Sequence, residues 1–448
     1  MALGVDVDVI VAGGGVAGTA AAAALGEFGW SVLVVEPGQH SERRLAGELI
    51  HPQGLAGLVE LGLYDADSFA DAVPIHGFRI FPDGNTEGPG IQLPYRRPSG
   101  IHTTGCALEH GAIRANLDAA VTRLGHVTMW RGSRVVGLDL TGRATPSVSI
   151  ACNAGKKTLR CRMIVGADGA SSSVRSLAGI VHRRRPLSRI SGYLISRDAL
   201  PAPGFGHVFM GETLPLLAYE IGGGRARVSF DHPIGAERPR PDYRARVMAT
   251  LPLRLRTAIT ASAEKQRTLG SVSADVFVGA VARGPLVLAG DAGGSCHPLT
   301  ATGLTVAIGD ALRLRQALCD RDGEPASAAA LYAKRRRPAQ RARMLLASAL
   351  HETTCRQDPP ARLIREGLIR YWEHDARGRE ASMALLAMAD TQCVSILREM
   401  LRIVLLGMAG RTECRSNSFR DRMGVRPRLT FALAALLLRH LPMVMKAR

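Results

Sequence analysis

The sequence predicts an α/β chain: a dinucleotide-binding domain of parallel strands, interrupted by an antiparallel sheet and followed by a helical last third. Three observations predict it. A short Val- and Ile-rich run leads into Gly13-Gly14-Gly15-Val16-Ala17-Gly18, an Ala-rich helical stretch and a second apolar strand closed by Glu36. Residues 190–285 break into short alternating segments between Gly-rich turns, the pattern of strands with one apolar face. Beyond residue 307 the apolar residues recur at helical spacing.

The first strand is the second half of residues 5–12, VDVDVIVA, too short for a helix. The glycine turn, a helix over 19–28, a strand over 31–35 and Glu36 then form one unit. Glycines let the backbone approach a pyrophosphate, a helix start offers unpaired N–H groups, and an acid about 20 residues on accepts ribose hydroxyls. Gly13, Gly15, Val16, Ala17, Gly18 and Glu36 are therefore candidate cofactor residues. The unit alone does not separate FAD from NAD.

Arg43-Arg44-Leu45-Ala46-Gly47-Glu48-Leu49, followed by His51-Pro52-Gln53-Gly54, is too charged for core and too rich in Gly and Pro for a regular element. It reads either as a loop crossing the cofactor, with Arg44 near phosphates or ring, or as a surface loop with a helix-capping Glu. Phe78-Arg79-Ile80 and residues 91–95 read as a hairpin around Pro82-Asp83-Gly84-Asn85. Helical spacing over 107–124 puts Ile113, Leu117, Ala120 and Val121 on one face and Arg114 off it, toward a surface ion pair or the cofactor. Strands follow at 127–130, 133–140, 147–152 and 159–162. Met163-Ile164-Val165 then runs into Gly166-Ala167-Asp168-Gly169-Ala170-Ser171-Ser172-Ser173-Val174-Arg175. A helix cap accounts for the serines; an Asp between small residues at the end of an apolar strand points to close packing against a cofactor.

The densest stretch is 286–307, LVLAGDAGGSCHPLTATGLTVA. A buried strand ends in Gly290-Asp291, where the carboxylate can accept hydrogen bonds from a ribityl chain. Gly303 heads a helix whose start gathers partial positive charge, suited to the anionic N1 and O2 edge of a reduced flavin. Helices continue at 307–318 and 326–350, the latter kinked or broken at Pro338. It carries Lys334-Arg335-Arg336-Arg337 with Arg341 and Arg343. Residues 431–444 are mostly apolar, and Arg411, Arg415, Arg420, Arg422, Arg426 and Arg428 precede them.

A net charge of +18 calls for a partner or a surface. Aromatics are only 4% of the chain and no nucleic-acid-binding signature accompanies the charge, which argues against nucleic acid. Apolar helices interleaved with Arg clusters are the pattern of a protein dipping into one leaflet and held by anionic headgroups. A helical cap or dimer interface with a solvated basic face is the other reading. No apolar run reaches ~18 residues, so no simple membrane span is expected. The eight cysteines form no CxxC pair and no zinc-site spacing, so no metal is expected. With no secretory signal ahead of the first strand, the expected setting is cytoplasmic, with peripheral or monotopic membrane association.

In order, the GxGxxG unit, GADGxxSxVR at 166–175 and Gly290-Asp291 resemble the FAD-dependent monooxygenases of the aromatic-hydroxylase fold. Within that group the chain is most similar to the squalene monooxygenase (squalene epoxidase) family. The likeness is carried by Arg44-Leu45-Ala46-Gly47-Glu48-Leu49 with Pro52 and Gly54, by His76-Gly77-Phe78, and above all by His297-Pro298-Leu299-Thr300 with Gly303-Leu304-Thr305-Val306-Ala307. It implies a glutathione-reductase-like FAD domain at 1–70, 101–185 and 284–330, an inserted antiparallel substrate sheet at 71–100 and 186–283, and a helical, membrane-associated region at 331–448. It also implies FAD contacts at Val16, Ala17, Glu36, Arg44, Leu49, Asp291 and Leu304; Gly13, Gly15, Gly18, Arg114, Val135, Asp168 and Gly303 complete the candidate set. Cys296, Ala301, Thr302 and Phe78 depart from the family pattern, which has Arg, Gly, Gly and Tyr there. The family's Arg in the long helix falls nearer Ala112 than Arg114.

The implied chemistry is transfer of one oxygen atom from O2 to a lipophilic alkene through the C4a-hydroperoxide of reduced FAD. Phe78, His297, Pro298 and Leu299 are the substrate-pocket candidates. NADPH is the implied ultimate electron donor, direct or through a reductase partner. The alternatives are hydroxylation of an aromatic or polyketide-like compound on the same fold, and a flavin-binding membrane protein that performs no oxygenation.

Overall fold

The computed structural model describes residues 4–38, 45–82, 88–95, 104–141, 145–210, 215–233, 243–265, 269–356 and 358–413. Arg44, the expected turn at 82–85 beyond Pro82, and the apolar stretch 431–444 with the Arg residues from Arg415 onward lie outside these. Helices are α1 (Val16–Gly26), α2 (Pro52–Glu60), α3 (His110–Thr122), α4 (Ser173–Leu177), α5 (Tyr243–Ala249), α6 (Leu253–Lys265), α7 (Gly303–Cys319), α8 (Pro325–Cys355), α9 (Pro359–His374), α10 (Ala376–Leu386) and α11 (Cys393–Glu413).

A six-stranded sheet centres the cofactor domain, in the order Ala282–Arg283, Leu286–Leu288, Met163–Gly166, Val9–Ala12, Val32–Glu36, Val127–Arg131. All its pairs are parallel except the edge pair of Ala282–Arg283 with Leu286–Leu288. Its central strands are buried on both faces, which is why they read as unbroken apolar runs. Alternation sorts the two faces. Val9, Val11, Val32 and Val34 pack under α1, α3 and α7. Ile10, Ala12, Leu33 and Val35 pack on a three-stranded meander of Arg134–Asp139, Ser147–Cys152 and Gly155–Arg160. The four strands expected at 127–162 thus divide between two sheets.

The inserted sheet has seven strands: Leu269–Val278, His182–Ser196, Arg225–Pro233, Leu216–Glu220, Gly206–Phe209, Gly77–Phe81 and Ile91–Pro94. It is antiparallel except where the early hairpin joins it, Gly77–Phe81 running parallel to Gly206–Phe209. One face carries Phe81, Phe209, Leu216 and Phe230 against α5 and α6. Those two helices were not expected from the sequence, although Leu255, Ala258 and Ile259 supply helical spacing on a short apolar face. The other face carries Phe78, Ile80, Leu93 and Tyr219 against Leu368, Tyr371 and Trp372 of α9 and Met383 of α10.

Of the two expectations at Pro338, the break is corrected: α8 runs as one helix from Pro325 to Cys355 with Pro338 inside it. Proline costs ~3 kcal/mol or more in a helix interior. Tyr332, Arg336, Ala339, Ala342 and Arg343, all buried, hold the helix on both sides of it. Glycine sets the contact between α9 and α11, where a side chain at Gly367 would fall on the Ile403 carbonyl and one at Gly407 on that of Leu363. No helix among the described residues is long and apolar enough to cross a membrane. Burial pushes the Cys106, Cys161 and Cys355 thiols up to about 12, so they pack as neutral thiols.

Candidate functional site

Three strand ends of the parallel sheet converge here. At the first, Gly13 has φ +102°, and a Cβ on it would come within 2.5 Å of the Ala167 carbonyl oxygen. Only glycine lets the turn pack on the neighbouring strand end. Nothing lies within 4 Å of the Cβ position of Gly15, so the start of α1 opens onto free space. That start has no side-chain cap and no acid in its first turn, leaving the amides at Val16 and Ala17 for an anion. Gly18 packs on the Gly13 carbonyl.

Glu36 closes the second strand and is buried. Its Oε2 accepts from the Gly14 N–H at 2.6 Å and its Oε1 from Gly38 at 2.9 Å. Arg114 Nη2 stands 3.5 Å from Oε1. The sequence left Arg114 between an ion pair and the cofactor; its ion pair is with Glu36, the candidate ribose acid. A carboxylate has about four acceptor positions, so Glu36 keeps capacity for a ribose hydroxyl. Val135 lies buried in the meander core just beyond.

At the third strand end, Asp168 Oδ2 accepts from Val174 N–H at 3.0 Å while its Oδ1 is buried without a partner. Ser172 caps α4 through the Arg175 N–H. The Arg175 side chain, nearly fully buried, donates to the carbonyls of Ala292 (2.9 Å) and Ala170 (2.8 Å), stitching this loop to the turn Gly290–Gly293. Asp291 on that turn has an exposed carboxylate, with Arg343 Nη2 3.6 Å away.

Beneath the turn lies a support that sequence reading missed. Arg336 of α8 donates from Nε to Asp310 Oδ2 (2.8 Å), from Nη1 to the Gly293 carbonyl (2.8 Å) and from Nη2 to that of Gly290 (3.0 Å). Asp310 Oδ2 also accepts from Gly290 N–H at 2.9 Å, and Tyr332 donates to the Leu288 carbonyl. Arg343 donates to Thr302 Oγ1 at 3.2 Å. Of the basic cluster noted in the sequence, Arg336 and Arg343 are buried and hold the turn. Their signal was spacing: Tyr332, Arg336, Ala339 and Arg343 form one helical stripe.

The start of α7 also lacks a side-chain cap and a first-turn acid, leaving the amides at Gly303 and Leu304 without either. Gly47 lies against Leu304, and Leu45 fills the space a side chain at Gly192 would take, so the segment crosses from α7 to the inserted sheet. The surface-loop reading is corrected: Leu49–Ile50 is a buried strand and α2 begins at Pro52. Glu48 is buried, with Arg227 forking onto both its oxygens (2.7 and 3.0 Å) and the Tyr219 hydroxyl at 3.4 Å; it also takes a backbone hydrogen bond from His110, the first residue of α3. Burial raises its carboxyl above the usual range although Arg227 opposes the shift.

His297 is buried. Its Nδ1 accepts from the Leu299 N–H (3.2 Å), so Nε2 carries the proton, which faces Asp231 Oδ2 (2.7 Å) and Ser188 Oγ (3.0 Å). It ties the 297–300 turn to the inserted sheet. Pro298 is exposed and Leu299 half-buried, and the next residue, Ala301, has φ +52°. A further buried pair went unread in the sequence. Tyr95 OH donates to His51 Nδ1 at 2.6 Å, and His51 Nε2 faces the Thr300 carbonyl at 3.0 Å. Burial lowers the His51 ring to about 4, so it is neutral. Phe78, its ring 6.3 Å from that of His51, and Leu49 belong to the apolar cluster against which Ala301 packs.

The residues present fit FAD. Two uncapped helix starts suit its phosphates and anionic ring edge, Glu36 its ribose, and Asp291 its polyol. Among the described residues no group of His, Cys, Asp and Glu could hold a metal.

Comparison with known proteins agrees with this geometry. A family model described as FAD binding domain matches residues 6–347. The squalene epoxidase erg1 of Schizosaccharomyces pombe is 29% identical over 319 residues, covering 69% of this chain and 68% of its own. A 6-methylpretetramide 4-monooxygenase of Streptomyces rimosus is 30% identical over 362 residues, covering 76% and 82%. Among solved structures, p-nitrophenol 4-monooxygenase PnpA from Pseudomonas putida superposes with a TM-score of 0.68 at 19% identity, over 88% of this chain and 98% of that one, a likeness of fold.

Proposed function

Because the chain belongs to the FAD binding domain family, we propose that this FAD-dependent monooxygenase transfers one oxygen atom from O2 to a lipophilic alkene, most simply as an epoxidation. One observation carries the choice of an alkene. The apolar cluster that meets the cofactor loops at Leu49 and Ala301 is bordered by polar groups already committed within the protein. Tyr95 bonds to His51, Tyr219 to Glu48, Tyr371 to Glu399 and Trp372 to Ser382. A phenol would need a group to orient or deprotonate it; an alkene needs only apolar walls.

When bound, FAD supplies the reduction of O2 and the electrophilic oxygen. The chain's residues bind, orient and exclude water. The glycine turn and Glu36 would hold pyrophosphate and ribose, Asp291 the ribityl chain, and the α7 start the anionic edge of the ring. Pro298 and Leu299 would wall the reacting face, and the Phe78 cluster would keep it dry. No proton need come from His297, whose N–H is committed to Asp231. Nor do His297, Ser188 and Asp231 form a nucleophilic triad, because serine and aspartate meet the same ring nitrogen.

The 30% identity to the 6-methylpretetramide 4-monooxygenase supports a second reading, hydroxylation of an aromatic polyketide. NADPH as electron source, a reductase partner and contact with an anionic membrane belong to the proposal. So does the division into a cofactor part (1–70, 101–185, 284–330), a sheet part (71–100, 186–283) and a helical part (331–448), although the strand His182–Ser196 crosses its 185/186 boundary. The test is reduction of the FAD-loaded protein without air, with a panel of lipophilic alkenes and phenols, then admission of O2 and mass analysis of products. An alkene heavier by one oxygen is expected; a phenol oxidised instead moves the assignment to the second reading, and O2 uptake indifferent to the whole panel overturns both.

A further inference from the structure

A groove of about 680 Å³ runs between the outer face of α8 and the strand ends at 276–284. It lies apart from the apolar cluster described above, though Gly293 and Arg336 of the cofactor turn's support are among its lining residues. Val276, Val278, Ala330, Ala333 and Met344 give it an apolar floor. Arg337 and Arg341 line it too, and no Asp or Glu is among its lining residues. Arg183 stacks over Phe277, another lining residue, at 4.9 Å, adding a cation to the rim. The charge is one-sided, and the volume is that of a small-molecule pocket, ~300–1,000 Å³.

A second observation concerns Gln340, also in the lining. Both its amide oxygen and its amide nitrogen are buried without a hydrogen-bond partner, next to Gly294. A buried polar atom left unpaired costs roughly 1–3 kcal/mol, and a folded protein keeps few such atoms without a reason.

We propose that this groove binds one anionic amphiphile, a single apolar chain with a carboxylate or phosphate head, the chain on the Val276–Met344 floor and the head between Arg337 and Arg341. Gln340, whose amide atoms have no accessible surface as packed, turns outward on binding to give that polar end a donor and an acceptor. The segment 414–448, with seven arginines and one lysine against one acid, Asp421, lacks the anionic head that Arg337 and Arg341 call for. The inference is independent of which substrate is oxidised.

The experiment uses full-length, FAD-loaded protein and counts bound ligand by native mass spectrometry, with oleate, oleyl alcohol and inorganic phosphate as separate probes. So that oleate held elsewhere on the protein does not count, the readout is the equivalent lost in Ala330→Trp, which fills the groove. Wild type is expected to hold one more oleate than Ala330→Trp. Oleyl alcohol and phosphate should bind that site at least about tenfold more weakly, as should oleate to Arg337→Glu. Flavin content and thermal midpoint should be unchanged in both variants, which separates this outcome from misfolding. Equal oleate stoichiometry in wild type and Ala330→Trp overturns the proposal; so does oleyl alcohol matching oleate. Phosphate alone matching oleate would reassign the site to a free anion and overturn the amphiphile.

Discussion

Replacing Arg336 with Met should unfasten the cofactor turn from beneath. The arginine makes three buried hydrogen bonds, to Asp310 Oδ2 and to the carbonyls of Gly290 and Gly293. Methionine matches much of its aliphatic volume, so the change removes charge and donors more than packing. Asp310, almost fully buried, would keep only the Gly290 N–H and the 3.4 Å contact from Arg313. Breaking a buried ion pair on one side costs about 3–5 kcal/mol, and two orphaned carbonyls add roughly 1 kcal/mol or more. The expected loss is therefore about 4–6 kcal/mol, read from denaturant melts of the flavin-free protein. The double variant Arg336→Met/Asp310→Asn should recover at least about 2 kcal/mol, because the uncompensated charge goes with its partner. Flavin affinity is the second readout, since Asp291 sits on the released turn. A loss under about 1 kcal/mol, or no recovery in the double variant, would refute the account of Arg336 as the anchor.

Glu36→Gln replaces an acceptor of two backbone N–H groups with one that must turn an NH2 toward one of them. FAD affinity by flavin-fluorescence titration should fall about tenfold or more; unchanged affinity would remove Glu36 from the site. At Ala301, with φ +52°, a β-branched side chain is strained, so Ala301→Val should cost about 2 kcal/mol in urea melts. Ala301→Gly should be tolerated within about 0.5 kcal/mol, relieved strain offsetting the more flexible unfolded chain. His51 and His207 are both held at about 4 by burial against an ordinary 6.5. Between those values the unfolded chain binds protons that the folded one refuses. Stability is thus full above pH 6.5 and falls as pH drops toward 4, by up to roughly 3 kcal/mol per histidine. His51→Gln should flatten that slope by about half, and a slope unchanged in the variant would show that the ring titrates normally.

What the sequence made legible was local. The strand, glycine turn, helix and acid at 9–36 announce themselves because each glycine and Glu36 act within one βαβ unit. The turn at 290–303 was equally readable, down to the helix start at Gly303. What stayed hidden were partners brought together only by folding. Glu48 and Arg227 stand 179 positions apart, and His51 and Tyr95 stand 44 apart, so no window of pattern reading contains both. Arg336 and Arg343 were visible, but a run of basic residues gives by itself no sign of burial. Placing them on the helix with Tyr332 and Ala339 would have shown a stripe that arginine shares with core residues. The inserted helices α5 and α6 were lost for another reason: α6 alternates Leu with Arg at its start and offers only a narrow apolar face.

The anchoring of Gly290–Gly293 by α8 also sets an order of assembly during synthesis. All three glycine corners of the cofactor site have emerged once residue 303 is made, yet the turn they share lacks its support until Tyr332, Arg336 and Arg343 follow. A growing chain that stops short of α8 carries every recognisable flavin motif and an unsupported cofactor turn. Flavin acquisition is thereby coupled to completion of the long helix. Domains tend to fold as units as they leave the ribosome, N-terminal first; here the N-terminal unit waits for a residue three quarters of the way along the chain.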